Sequence, residues 1–497
     1  MDKILLGVRR IKEPALLNKD RLPILLIGLS LIIGIVVAVV VGQLGWLVLI
    51  VLPAFITLVG AVSKPDLGLA ALIVVIFAQL QRVVTHFHDL PGPGEPVVAF
   101  LIVVIVIRII VFNETPSLWV QNSFIIGVYL FFLTISVVTA GEMARAFTEF
   151  IDIAKNLVIV SIILYLINQP TSLKSAIWAV IFAGILMSSI SVYQNLTQTY
   201  DNNYWGFGGW EFSGYVGRPR MTGPYQTPNP YAQVLVVIFI LALDRLWHET
   251  RLVLRLWASI GVLLCALALI YTDSRGGFAN LVFTTFVFFL FNRPKLLSLT
   301  ITLFMYIFLI RFLPSNYTDR ILTLTEINLF QDPSAPIVDE SFRGRTSENI
   351  VAWQMFLDHP AFGVGLNNYG MHYQEYSREL GIDPRRETRD PASLYLQLLA
   401  DQGLVGTAAF ILFFISVFVR LFKAYRWLVI TKMHNEANIA SALFAALSGY
   451  MFMAIYKNSA YHNVLWVLVA ICISVTQIVA NYHQANKGFG EPKELVA

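Results

Sequence analysis

Residues 461–481 read YHNVLWVLVAICISVTQIVAN, a run of 21 residues without Asp, Glu, Lys or Arg. A bilayer core of about 30 Å needs about 20 apolar residues per helical crossing, so this run predicts a transmembrane helix. Similar runs recur along the chain, which is 57% hydrophobic and 13% charged. Soluble domains carry roughly 25% charged residues. We therefore predict an all-α, polytopic membrane protein and exclude a water-soluble enzyme.

Fourteen runs have the length and composition of such helices. They lie at residues 23–41, 44–62, 67–82, 97–113, 124–140, 152–168, 174–192, 229–247, 252–271, 276–292, 296–313, 393–421, 436–456 and 461–481. Several, such as 67–82 and 152–168, are short. We therefore expect 12 to 14 membrane spans in the 497-residue chain.

Basic residues set the orientation of these spans. Lys3, Arg9, Arg10, Lys12, Lys19 and Arg21 precede the first span, which predicts a cytoplasmic N-terminus. Alternation along the chain then gives five regions. They are a cytoplasmic segment 1–22, helices over 23–313 with a periplasmic loop at 193–228, a large, partly helical periplasmic loop at 314–392, C-terminal helices over 393–481, and a cytoplasmic tail 482–497.

Net charge and cysteine content argue against nucleic-acid binding, a disulfide framework and a cysteine-based zinc site. The net charge of +4 is too small to indicate nucleic acid. The two cysteines, Cys265 and Cys472, both fall inside apolar runs. We therefore expect neither a disulfide framework nor a cysteine-based zinc site.

The large loop at 314–392 holds seven Arg, no Lys and twelve acidic residues. The guanidinium group is a planar fork suited to phosphate or carboxylate. These arginines either bind an anionic ligand or pair with the acidic residues of a folded cap. Arg345 and Arg389 belong to this set.

Four polar segments are candidate sites. Arg218 and Arg220 lie in the Gly/Pro-rich stretch 217–224 ahead of a helix that begins near Asn229, and guanidinium forks beside helix N–H groups favour phosphate. Arg275 precedes two glycines, and either snorkels to water or binds the same anion. Instead of an anion site, the loop that contains residues 217–224 could form part of an aromatic belt at the membrane interface.

The other two segments lie in and after the large loop. Asp358-His359-Pro360 predicts a helix end followed by a glycine turn, and makes His359 a weaker candidate base. Residues 385–397 form an Arg-rich approach to a membrane helix and include Arg389 and Asp390. This approach is either the edge of an active site or an ordinary loop-to-helix junction.

Together these segments resemble the O-antigen ligase and polymerase superfamily of bacterial membrane glycosyltransferases. The resemblance covers roughly residues 190–410. It rests on residues 217–224 with 228–230, on 274–277, on 358–360 with 363–369, and on 393–397 with 402–406.

This resemblance implies a multi-pass protein of the bacterial inner membrane whose active site faces the periplasm. Its donor would be a glycan on undecaprenyl diphosphate, held among membrane lipid. The acceptor would be the lipid A core in a ligase, or another lipid-linked repeat unit in a polymerase. Family members are inverting and need no metal and no other cofactor.

Carried over by position, Arg220 and Arg275 match the family arginines that hold the donor diphosphate, and Arg389 could assist. Arg218, Arg345, His359 and Asp390 are further candidate binding residues. The chemical task of Arg220 and Arg275 would be to neutralise charge on the leaving diphosphate, which contributes more in the transition state than in the ground state.

One position departs from the family pattern, because Ala392 stands where members usually carry a histidine. A methyl group cannot activate a hydroxyl. The chain is then an engineered inactive variant, a divergent member with another base such as His359 or Asp390, or a protein that has lost the activity. We favour the first because the surrounding motifs are intact, and expect weak or no transfer.

Two functions of other classes remain. A flippase or transporter of polyprenyl-linked glycans would also need many helices and interior arginines, but its charges should occur at several depths. Here the unusual arginines, apart from Arg82 and Arg108, lie toward one face. A non-catalytic scaffold gains support only from Ala392.

Overall fold

The structure is a computed structural model that describes residues 64–114, 116, 118–213, 218–292, 300, 340–382, 389–458 and 462–486. The predicted segment 1–22, the predicted spans 23–41, 44–62 and 296–313, and most of the tail 482–497 lie outside these residues. The helices, strands and contacts of the protein are those of the described residues.

This part of the chain contains fourteen α-helices. They are α1 (Pro65–Phe77), α2 (Leu80–His88), α3 (Gly94–Phe112), α4 (Trp119–Val138), α5 (Met143–Leu166), α6 (Pro170–Thr197), α7 (Pro228–His248), α8 (Leu252–Tyr271), α9 (Arg275–Phe291), α10 (Glu340–Asp358), α11 (Tyr369–Glu379), α12 (Leu394–Ile430), α13 (His434–Met453) and α14 (Asn463–Asn486). A two-stranded hairpin, β1 (Trp210–Ser213) and β2 (Arg218–Met221), precedes α7.

Seven of the described helices are long and apolar enough to cross a membrane, and the bent pair α1–α2 adds an eighth if it forms one span. This confirms the prediction of an all-α, polytopic membrane protein. Each predicted span that falls within the described residues coincides with one helix or with that pair. The shorter α9 has 17 residues, and α5 carries charges in its first half.

The predicted span 67–82 is not one continuous helix. α1 and α2 meet at a bend of 58°. Gln79 adopts a left-handed conformation with φ of 52°, and its side-chain nitrogen donates to the carbonyl oxygen of Ile76 at 3.1 Å. The apolar pattern of α1 gives way to the polar residues Gln79, Gln81 and Arg82, and the amide cap of Gln79 ends α1.

Helix α7 lies at the centre of the bundle, with most of its apolar length buried. It packs against α8, α9 and α13. Close approach to α9 depends on Gly277, since a Cβ atom at this position would lie 2.7 Å from Cβ of Ala232. Two motif-bearing helices are therefore fixed side by side.

Contacts between helix ends form two separate sets. At one end, which we call the motif face, Arg82 contacts Pro224, Arg218 contacts Asp273, Asn229 contacts Ser274, Asn367 contacts Glu149, and Leu394 contacts Ala454. At the opposite face, Arg245 contacts Asn435, Asn292 contacts Ser441, and Asn481 contacts Asn168. The residues of each set are those that the predicted alternation of spans places on one side.

A buried ion pair within α7 lies at the opposite face, and its arginine also bonds to α13. Arg245 donates from Nε to Oδ2 of Asp244 at 2.8 Å and from Nη1 to Oδ1 of Asn435 at 2.8 Å. Both charged side chains are 1% exposed. Removing one partner of a buried ion pair leaves the other charge uncompensated, which costs about 3–5 kcal/mol.

We therefore expect Asp244→Ala to lower the free energy of unfolding by about 3 kcal/mol. Thermal unfolding of the purified protein in detergent measures this effect. Asp152→Ala is the matched control, because its pair with Lys155 is more than half exposed and contributes at most about 1 kcal/mol. Equal losses in the two variants would contradict a structural role for the buried pair.

Candidate functional site

A tight, buried turn between α8 and α9 forms the floor of the site. Asp273 has a φ of 49°, in the left-handed region that Asp tolerates better than most residues. Ser274 caps α9, because its Oγ accepts from the backbone nitrogen of Gly277 at 3.1 Å. Arg275 is consequently the first residue of α9, and it is half-buried.

Two helix N-termini meet at this turn. The Ser274 hydroxyl donates to Oδ1 of Asn229 at 2.8 Å, and Asn229 lies in the first turn of α7. Backbone N–H groups at the start of a helix point outward and carry partial positive charge. The first turn of α7 contains Pro228 and Pro230, which have no N–H, so the partial positive charge that favours a phosphate-like anion here comes mainly from the start of α9.

Strand β2 brings two arginines onto the same turn. Arg220 donates from Nε to the carbonyl oxygen of Thr272 at 2.9 Å. Arg218 donates from Nε to Oδ2 of Asp273 at 2.9 Å and makes a second bond to the other carboxylate oxygen. This bidentate pair fixes Arg218 to Asp273, so Arg218 helps to hold the turn.

The end of α13 joins this turn to the segment that contains Ala392. A Cβ atom on Gly276 would lie 4.0 Å from Cε of Met453. The next residue, Ala454, accepts a hydrogen bond from the backbone nitrogen of Leu394 at 2.9 Å. The structure therefore brings the half-buried Ala392 and the turn of Arg275 to the same end of α13.

A second group of charges lies beside Ala392. Arg389 donates from Nη1 to Oε1 of Glu348 at 3.0 Å, and both side chains are largely buried. Burial raises the pKa of Glu348, although the positive charge of Arg389 opposes the shift. Arg345 also acts electrostatically on Glu348, whereas Asp390 is exposed.

The sequence interpretation missed Lys457, which belongs to this second group. Burial lowers the pKa of Lys457, and the positive charge of Arg345 lowers it further. A lysine that follows a span on the predicted outer side runs against the positive-inside rule, and that signal could have identified it.

His359 is not brought to the arginines. It is exposed at the end of α10, and the adjacent Pro360 accepts a hydrogen bond from the backbone nitrogen of Leu404 at 2.8 Å. Leu404 lies at the far end of the first segment of α12, which begins next to Ala454 and bends at Gly403. Nine helical residues span about 13 Å, so His359 lies about that far from the Ala392 end.

The glycine-rich residues 363–369 have a structural explanation. Val364 donates its backbone N–H to the carbonyl oxygen of Ala400 at 2.8 Å, and Tyr369 donates its own to Oδ1 of Asp401 at 2.9 Å. A Cβ atom on Gly363 would lie 2.4 Å from the backbone carbon of Asp401. This turn therefore locks α10 and α11 onto the bend of α12.

Among the described residues, no group of three or more His, Cys, Asp or Glu could hold a metal ion. The groups at the motif face that are chemically suited to an anion include Arg220, Arg275 and the N-terminus of α9. The fold is that of a polytopic membrane protein, and these groups lie at one of its faces.

Residues 260–411 match the family model described as O-antigen ligase. The match supports an O-antigen ligase and polymerase family assignment, and the matched residues include Arg275, Arg389 and Ala392. No curated protein matches the chain closely enough to serve as a relative. The family match and the apolar helices indicate a multi-pass protein of the bacterial inner membrane.

Proposed function

We propose that the chain is an inverting, metal-independent glycosyltransferase that acts at the periplasmic surface. It transfers a glycan from undecaprenyl diphosphate to an acceptor glycan, which is the lipid A core in a ligase or a lipid-linked repeat unit in a polymerase. The observation that carries this proposal is that Arg220 donates to the turn between α8 and α9, where Arg275 begins α9 beside the N-terminus of α7.

This arrangement suits the chemistry of the donor. As the glycosidic bond breaks, negative charge grows on the leaving diphosphate. Two guanidinium groups and the N-terminus of α9, fixed before the reaction, can stabilise that charge without reorganising. The same groups bind the intact diphosphate less strongly than the transition state, so they act on the rate.

The position of the site at a bundle end supports lateral entry of the donor lipid. Arg220 and Arg275 are half-buried at the motif face, and the flanking helices present exposed apolar side chains such as Leu263 and Val282. A polyprenyl chain can remain in the bilayer while its diphosphate reaches the turn. The helices α10 and α11, joined to α12, are then the surface available to an acceptor.

Glycan transfer by the purified protein tests this function. The donor is an undecaprenyl-diphosphate-linked glycan, and the acceptors are lipid A core and a second donor molecule, offered in separate reactions. Transfer to one of them separates ligase from polymerase. Movement of the donor across the membrane of vesicles that contain the protein, without transfer to either acceptor, would support a flippase function. It would overturn the proposed transferase function.

A further inference from the structure

Helix α10 carries an apolar stripe on the side that faces away from the rest of the protein. Ile350, Trp353 and Leu357 are exposed among the described residues, and their helical spacing places them on one side of α10. Val351 and Met355, on the other side, are buried in a cluster with residues of α11 and α12. Helix α10 is therefore amphipathic, and both of its apolar sides need a partner.

The first segment of α12, from Leu394 to the bend at Gly403, runs across the motif face. At its start, the backbone nitrogen of Leu394 donates to the carbonyl oxygen of Ala454, at the end of α13, at 2.9 Å. At its end, the hydroxyl of Ser136, near the end of α4, donates to the carbonyl oxygen of Asp401 at 2.9 Å. The ends of α13 and α4 both lie at the motif face, so this segment follows the membrane surface.

Helix α10 runs along this segment. Halfway along α10, Glu348 accepts a hydrogen bond at 3.0 Å from Arg389, which precedes α12. Just after α10 ends, Pro360 accepts a hydrogen bond at 2.8 Å from the backbone nitrogen of Leu404, just past the bend of α12. Because these contacts join α10 to both ends of the first α12 segment, α10 also lies along the membrane surface.

The end of α10 adjoins the lipid-facing side of α12. Beyond the bend, α12 is long and apolar enough to cross the membrane, and Leu404, Ile411 and Ile415 form an exposed stripe at helical spacing. The exposed Phe362 lies beside the start of this stripe, since a Cβ atom on Gly403 would lie 2.5 Å from its backbone nitrogen. The apolar surface of α10 is thus continued by Phe362 to the level at which α12 meets lipid.

We propose that α10 is an interfacial helix whose stripe of Ile350, Trp353 and Leu357 inserts into the bilayer leaflet at the motif face. A helix of this kind buries its apolar side about 5–10 Å into the boundary between headgroups and acyl chains. Tryptophan is enriched at this depth, because its ring is apolar and its N–H is polar. The inference concerns how the protein meets the membrane and does not depend on the proposed transferase function.

Spin labels measure the depth of this stripe. The two cysteines of the chain, Cys265 and Cys472, are buried, so a cysteine introduced at the surface can be labelled selectively. Trp353→Cys and Leu357→Cys are labelled in nanodiscs of phosphatidylethanolamine and phosphatidylglycerol. Both labels should collide more often with oxygen, which partitions into lipid, than with a water-soluble nickel chelate, and should report a depth of about 5–10 Å.

Two further labels calibrate the measurement. Leu412→Cys, on the exposed side of α12, should report lipid and lie about 12 Å deeper than Leu404, eight residues earlier. Glu379→Cys, exposed at the end of α11, should collide mainly with the nickel chelate.

Labels at Trp353 and Leu357 that behave like the label at Glu379 would overturn the inference, because the stripe would then face water. Immobile labels shielded from both oxygen and the chelate would overturn it too, because protein would then cover the stripe. The labels are read without glycan transfer, so either result would leave the proposed function standing.

Discussion

Arg275→Ala is expected to lower glycan transfer by about 1,000-fold, which corresponds to about 4 kcal/mol of transition-state stabilisation. Arg275 is the first residue of α9, at the turn that Arg220 also contacts. Arginines that bind transferring phosphate groups contribute effects of this size because they meet charge that develops during the reaction. The measurement is kcat/KM for transfer from the undecaprenyl-diphosphate donor.

Two further variants show whether this loss is specific. Arg275→Lys should recover part of the rate, because the ammonium keeps the charge but loses the planar fork. Arg251→Ala, at an exposed position before α8, is the matched control and should leave transfer unchanged. An Arg275→Ala variant that folds and transfers at the wild-type rate would remove Arg275 from the site.

Ala392→His is expected to raise transfer by about 10- to 100-fold near neutral pH. The substitution places an imidazole on the segment that the bond from Leu394 to Ala454 fixes at the end of α13. An imidazole is largely unprotonated near pH 7, so it can act as a base there. The gain should shrink as the pH falls and the imidazole becomes protonated.

The pH dependence of that gain is the informative measurement. Ala392→Asn is the matched control, since it adds a polar side chain that cannot act as a base, and it should not raise transfer. If Ala392→His gave no gain at any pH, the absent histidine would not explain slow transfer by the wild-type chain.

Most of the described fold follows from apolar run length. The helices α7, α8 and α14 begin and end within a few residues of the runs 229–247, 252–271 and 461–481. The break between α1 and α2 was not predicted, because residues 67–82 read as one apolar run although Gln79, Gln81 and Arg82 are polar. These residues mark the end of the apolar pattern, but the bend itself depends on the Gln79 backbone and its amide cap.

The candidate site was only partly predictable. Arg220 and Arg275 were predicted from Gly/Pro-rich surroundings, and the structure brings them to one turn. Arg218 was predicted as a ligand-binding residue, but its pairing with Asp273, 55 positions away, appears only in three dimensions. Lys457 was missed for a similar reason, since the hydrogen bond between Leu394 and Ala454, which brings its segment of the chain to the start of α12, appears only in three dimensions.

A double-mutant cycle of Arg220→Ala and Arg275→Ala, measured by kcat/KM for glycan transfer, tests the central claim most directly. If both arginines act on one diphosphate, the double variant should lose less than the sum of the single losses, with a coupling of at least about 1 kcal/mol. Additive losses would mean that the two side chains act independently. They would contradict the assignment of Arg220 and Arg275 to a shared diphosphate.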